Sequence, residues 1–466
     1  MKREIWIDWL RVSACFMVML VHSAEPFYLG GDGALILTKA DAFWAGLFDC
    51  LARCCVPLFI VASSYLQFPL HYSPGEFFRR RAVRILIPFA IWSVFYALWW
   101  GKPVDNLRDL LLNFNYAAGH LWFVYMLIGL YLMMPLLSPW AEKVSRKELQ
   151  VYLGIWLLTT LIPILRDILS GGQPILIYGP TGIPRQALYP LWGEASWNGY
   201  GMFYYVSGVI GYLLLGLYFR RFVPDLSWRK TLTVALPCYL GGFALCFGDF
   251  LRRAFGAAGT IAEAAGIAVE AADAAAQVAG TTAAAAEVAS SGAAPFVAGD
   301  LSLAVSLETC WCNDTIGVAA MTIGLLLLFR KIASSGRLAN APAPASAAAL
   351  ASAQHSASSA SRPTASSASA ATQPTAPVQA QPGAFYEKAL LPVSKASYGM
   401  YLMHLAILIP ISTWLHSALG IGTAASLGFW TPAVQILLTA VLTFLASALI
   451  STILRSIPKV GAWLIG

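Results

Sequence analysis

Ten apolar runs, each about as long as a bilayer is thick, limit this chain more than any other feature. They lie near residues 6–28, 43–68, 84–100, 120–138, 149–166, 200–219, 231–249, 311–330, 396–416 and 432–454. About 20 largely apolar residues in helix cross a hydrocarbon core of about 30 Å. Charged residues make up 11% of the chain and hydrophobic ones 58%, whereas a water-exposed surface carries about 25% charged residues. Soluble enzymes, coiled coils, collagen-like chains and disulfide scaffolds are thereby excluded. The expected fold is all-α and membrane-integral, with about ten transmembrane helices whose aromatic residues suit interfacial belts.

The charges set the orientation. Lys2 and Arg3, Arg79 to Arg84, Lys143 to Lys147, Arg220 to Lys230, Arg330, Lys331, Lys388, Arg455 and Lys459 fall on alternate connections. The other connections carry only scattered cations such as Lys39, Lys102, Arg108, Arg185, Arg252 and Arg253. Cations concentrate on the cytoplasmic side of membrane proteins, so both termini are expected inside. The net charge of +7 lies at the ends of apolar runs, not along a wet stripe, and nucleic acid is not an expected partner.

Two segments stand apart from the bundle. Residues 254–300 are rich in Ala and Gly and contain Glu263, Glu270, Asp273 and Glu287. Each such charge costs about 2.5–3.5 kcal/mol at a span centre, so an outer-side insertion over 251–310 is expected. Residues 335–384 are rich in Ala, Ser, Pro and Gln and lack the apolar surface to offset ordering entropy, which predicts a disordered inner linker over 335–388. Helices 1–7 then occupy 1–250, helix 8 occupies 311–334, and helices 9 and 10 occupy 389–466. The eight Cys show no metal-ligand spacing and are expected to be free thiols. The first run lacks a cleavage site and reads as a retained span.

That first run carries Arg11 and His22. Eleven helical steps turn about 1100°, three turns plus roughly 20°, so the two side chains share a face about 16.5 Å apart along the axis. An ionisable side chain inside a membrane is a functional hypothesis by default. Glu25, three residues on, is placed to orient or charge the imidazole. The plainer alternatives are an arginine that snorkels to headgroups and an interfacial histidine beside Pro26.

Arg11-x10-His22 after an aromatic-Asp run resembles the acyltransferase-3 family of integral-membrane O-acyltransferases. Further stretches agree in order: RCCVPLFIVASSYL at 53–66, FFRRRAVRILIPF at 77–89, GHLWFVYMLIGLYLMMPLL at 119–137 and SYGMYLMHL at 397–405. The second of these five departs from the family in having Ser64 where a Gly is usual. The likeness is greatest to bacterial O-acetyltransferases of surface polysaccharides, including the enterobacterial common antigen type. It implies a multi-pass protein of the bacterial cytoplasmic membrane that moves an acyl group from acetyl-CoA or another acyl-CoA to a hydroxyl of a surface or lipid-linked glycan.

The resemblance implies His22 as the base that takes the hydroxyl proton, with Arg11 and Glu25 beside it as catalytic residues. Arg79, Arg80, Arg81 and Arg84 are placed to bind CoA phosphates, or they serve only as an inside anchor. Arg53 is read as helping a sugar or carbonyl oxygen, with a structural Asp49–Arg53 pair as the alternative. His120, Trp122, Tyr401 and His404 are candidates for lining a tunnel. Arg11 and His22 are expected to line one polar cavity, with Arg79–Arg84 at its inner mouth and Arg53, His120 and Trp122 near His22. No metal and no permanently bound cofactor are expected; membrane lipid, acyl-CoA and the glycan are the expected partners. A transporter or flippase for a lipid-linked sugar or small anion is the competing class.

Overall fold

The computed structural model describes residues 4–30, 33–169, 200–279, 297–299, 301–335, 385–418, 428–458 and 461–466. The linker expected at 335–388 lies, but for its ends, outside the described residues. Among the described residues, nine helical stretches are long and apolar enough to cross a membrane, and each coincides with one of the ten runs. The fold is that of an all-α integral membrane protein.

Helix α1 (Ile5–Ala24) is the central element. The second span divides into α2 (Lys39–Ala52) and α3 (Cys55–Gln67). Pro57 explains the division, because it has no N–H to offer the Arg53 carbonyl and is tolerated only in a first helical turn. The third span is α4 (Pro74–Arg81), a π turn at Ala82–Leu86 and α5 (Ile87–Trp99). Short α6 (Pro103–Asp109) follows, then a 3-10 turn at Gly119–Leu121 that opens α7 (Trp122–Lys143). Helices α8 (Arg146–Thr159) and α9 (Ile162–Leu169) make the fifth span.

The run at 200–219 departs from expectation. It folds as a 3-10 turn at Gly201–Val206 and a twelve-residue helix, α10 (Ile210–Arg221). Gly208 between them has φ +69°, a left-handed conformation that interrupts a helix and that Gly alone adopts cheaply. The break lets Trp156 Nε1 donate to the Gly208 carbonyl at 2.8 Å. A Cβ on Gly211 would stand 2.0 Å from the Trp156 ring.

Helix α11 (Trp228–Ala279) continues beyond its span, as the Ala content favours; residue 251 is therefore no element boundary. After it come α12 (Leu301–Thr309), α13 (Ile316–Ser334), α14 (Leu391–Ala418), entered through a π turn at Tyr386–Leu390, α15 (Thr431–Ser456) and α16 (Gly461–Ile465). Helices α11 and α13 cross closely because Gly faces backbone: a Cβ on Gly242 would lie 2.3 Å from the Gly317 carbonyl. Lipid tails supply no hydrophobic drive between helices, so such small-residue contacts carry the packing.

Helix α1 packs against α2, α3, α13, α14 and α15, and Leu10, Ala14, Cys15, Met19 and Ala24 are buried. A helix buried on nearly every side can hold polar groups only where partners meet them. Asp8 accepts from Tyr386 Oη and Ser394 Oγ, each at 2.6 Å, which ties the two ends of the chain together. Arginines from connections assigned inside bond carbonyls at helix ends: Arg221 to Ala141 at 2.5 Å and Arg330 to Val223 at 2.6 Å. Cations satisfy these orphan carbonyls and the negative end of the helix dipole.

At the end of α1 that carries His22, three short strands, β1 (Leu29–Gly30), β2 (Gly33–Ile36) and β3 (Val297–Gly299), form an antiparallel sheet in that order. Ala34 pairs with Gly299 and Ile36 with Val297. The sheet joins the segment after Glu25 to the one leading into α12.

Candidate active site

Three imidazoles meet beside the end of α1. His22 comes from the last turn of α1, His120 from the 3-10 turn before α7, and His404 from the middle of α14. Ring centres are 4.9 Å apart for His22 and His404, 5.0 Å for His120 and His404, and 6.5 Å for His22 and His120. Tyr401 Oη donates to the His120 carbonyl at 2.5 Å. Tyr96 of α5 bridges the helical pair next to His404, donating to the Leu402 carbonyl at 2.9 Å and accepting from Ala406 N–H at 3.3 Å. A hydroxyl inserted in this way fixes the local turn of α14.

Hydrogen bonds assign the tautomers. Glu25 caps α1 in helical conformation, its N–H bonding the Val21 carbonyl, and opens a 3-10 turn at Glu25–Phe27; the i, i+3 spacing sets Oε2 2.7 Å from His22 Nδ1. A carboxylate accepts, so Nδ1 carries a proton, and in the neutral ring Nε2 then presents a lone pair. His404 Nδ1 is 2.5 Å from the Tyr401 carbonyl. It too must donate, which leaves a lone pair on Nε2, buried and without a hydrogen-bond partner. His120 makes no well-formed hydrogen bond at either ring nitrogen, although the Leu402 carbonyl is near enough to attract one. The His22 lone pair beside the His120 imidazole, with an N–H to give, suits a ligand that is both donor and acceptor, as a hydroxyl is.

A second buried cluster stands next to the first. Arg53, at the α2–α3 break, donates to Asp49 through Nε and again through Nη2 at 2.9 Å. Nη2 also reaches Tyr28 Oη at 2.8 Å and Glu308 Oε1 at 3.0 Å. Tyr28 Oη is 2.9 Å from Asp49 Oδ2 and 2.5 Å from Glu308 Oε1. The guanidinium lies 5.0 Å over the Trp311 ring. So much compensation is what holds an arginine inside a bundle. The Asp49–Arg53 pair is present, and Arg53 also faces a cavity.

That cavity, about 880 Å³, is lined by His22, Glu25, Arg53, His120, Trp122 and Tyr401 among others. Its opposite reach is apolar: Val18 on α1, Val56 on α3, and Met126, Leu130 and Met133 along α7. His404 stands behind His22 and His120 and does not line it. The structure separates Arg11 from this site, against expectation. Arg11 is half-buried and does not line the cavity. Cys15, on the shared face between Arg11 and His22, is buried against Ala396, Met400 and Ala448, which closes the path along α1.

Arg79, Arg80 and Arg84 are exposed and do not line the cavity either. Arg80 pairs with Glu76 and lies 5.2 Å over Tyr72. Arg81 is half-buried, bonds Gln67 and stacks on Phe77 and Tyr131 at 5.5 and 5.4 Å. Arg79 and Arg84 offer their charge to solvent, Arg80 shares its charge with Glu76, and Arg81 is a packing element.

Tyr28, Glu308 and Trp311 were not candidates from sequence. Glu308 is hidden at the edge of the Ala-rich insertion, and its bonds to Arg53 and Tyr28 and the pairing of β2 with β3 show that its segment returns to the α1 end. Among the described residues no group of three or more His, Cys, Asp or Glu side chains is arranged to hold a metal ion.

Residues 4–269 match the model of the acyltransferase domain. The chain therefore belongs to the acyltransferase-3 family, and it is a multi-pass membrane acyltransferase. The matched segment carries His22, Arg53, His120 and Trp122, while Tyr401 and His404 lie beyond it and join the site through α14. No curated protein and no solved structure matches the chain.

Proposed function

We propose that this acyltransferase moves an acyl group, most simply acetyl, from acyl-CoA to a hydroxyl of a surface or lipid-linked glycan in the bacterial cytoplasmic membrane. The observation that carries the reading is His22: Nδ1 is held by Glu25, and the ring lines the cavity with its Nε2 lone pair unengaged. In the step itself, Nε2 takes the proton of the acceptor hydroxyl as its oxygen attacks the thioester carbonyl. The carbon–sulfur bond then breaks, and the imidazolium returns the proton to the leaving thiolate. Glu25 stabilises the transient imidazolium, as a carboxylate behind a catalytic histidine does. An N–H of His120 would share the charge on the carbonyl oxygen.

Donor and acceptor would enter from opposite ends. The apolar reach along α7 suits an acyl-pantetheine arm, and Arg79, Arg80 and Arg84 suit the CoA phosphates beyond it. A transporter would share the ionisable groups, but family membership and a base-ready imidazole favour chemistry. The test is purified protein in detergent with acetyl-CoA and a glycan acceptor. Free thiol should appear only when the acceptor is present, with a matching acetyl mass gain on the glycan. Thiol release without acetylated glycan, or neither, would contradict the proposal.

A further inference from the structure

We infer that the acceptor end of the cavity is built for a neutral or amine-bearing sugar and excludes an anionic one. The inference rests on the acyl-transfer reading and adds the charge class of the acceptor to it. Among the described residues that line the cavity, three carboxylates, Glu25, Glu308 and Asp314, face one guanidinium, Arg53. That guanidinium is already engaged by Asp49 and Glu308, so its charge is answered within the protein. Glu25 and Glu308 remain partly open, their side chains 30% and 32% exposed.

Two buried groups at the same place point to a ligand. The Trp311 ring lines the cavity, is 1% exposed and has an indole N–H without a hydrogen-bond partner. His120 lines it at 6% exposure, with neither ring nitrogen in a well-formed hydrogen bond. A buried donor left unmade is costly, and a sugar oxygen satisfies one. Trp122, Tyr204 and Tyr205 line the same cavity and are exposed, as rings that stack on a sugar face must be. Carboxylates accept from pairs of hydroxyls and attract an ammonium. In a site of lowered dielectric they repel a second carboxylate or a phosphate.

The experiment uses the full-length protein in a detergent without a sugar headgroup. Binding of methyl β-glucoside, the matching glucuronide and the matching aminomethyl sugar is followed by tryptophan fluorescence, without acyl-CoA. The glucuronide should bind about tenfold or more weakly than the glucoside, and the amine at least as tightly. Raising salt should narrow the gap, as for any partly exposed charge. Glu308→Gln should narrow it as well. A glucuronide that binds as tightly as the glucoside overturns the inference, and so does a lack of binding by all three. Thiol release from acetyl-CoA with the glucoside is scored separately, so failure of acyl transfer and failure of the charge ranking are distinguishable.

Discussion

His22 and His404, from the first and the penultimate spans, stand with ring centres 4.9 Å apart and rings inclined at 34°. The hydrogen bonds of each place the proton of the neutral ring on Nδ1, and His404 Nε2 is buried without a hydrogen-bond partner. His404 stands behind His22 and outside the cavity, so it acts on an incoming hydroxyl only by fixing where the His22 ring stands.

His404→Ala should therefore lower kcat by on the order of 10- to 100-fold, the scale of a misplaced reactant, with the KM for acetyl-CoA nearly unchanged. His404→Gln, which keeps an acceptor, should retain more activity. Steady-state kinetics on both variants decide this; equal loss in the two would mean that the ring serves packing alone.

Glu25→Gln should lower kcat on the order of 100-fold while the protein still binds acetyl-CoA, because the amide neither fixes the Nδ1–H tautomer nor stabilises the imidazolium. Comparison of donor affinity with turnover checks it. A fall in affinity with turnover preserved would place Glu25 in binding.

Neutralising Arg79, Arg80 and Arg84 together should weaken acyl-CoA binding more than acceptor binding, since these three are exposed and phosphate-ready. Titration of correctly inserted protein with CoA measures it; unaltered CoA affinity would leave them as anchors.

Packing predictions concern Gly211 and Asp8. Gly211→Ala puts a methyl 2.0 Å from the Trp156 ring and should cost roughly 1–3 kcal/mol. Asp8→Ala leaves the hydroxyls of Tyr386 and Ser394 without their acceptor and should cost roughly 1–3 kcal/mol. Tyr386→Phe removes one partner only and should cost about 1 kcal/mol. Thermal unfolding in detergent ranks the variants.

Nine of the ten runs were legible as helices because length and apolarity are summed over many residues. The tenth was not, since one Gly with positive φ and one Trp beneath Gly211 decide its break. Within the site, the contact of His22 with Glu25 was legible because the two lie three residues apart, within one helical turn. The meeting of His22 with His120 and His404 depends on how α1, α7 and α14 pack, which periodicity does not encode. The shared face of Arg11 and His22 was read correctly as helix geometry. It did not make a shared cavity, because Cys15 between them is buried against α14 and α15. Glu308 was invisible beside low-complexity sequence that carries no pattern of its own.

The central claim is that His22 takes the acceptor proton. Purified, correctly inserted His22→Ala protein, compared with wild type for glycan-dependent thiol release from acetyl-CoA, tests it most directly. The account predicts a loss of 10²–10⁴-fold, the usual contribution of a positioned base, with acetyl-CoA affinity retained. Turnover within a few-fold of wild type would contradict it.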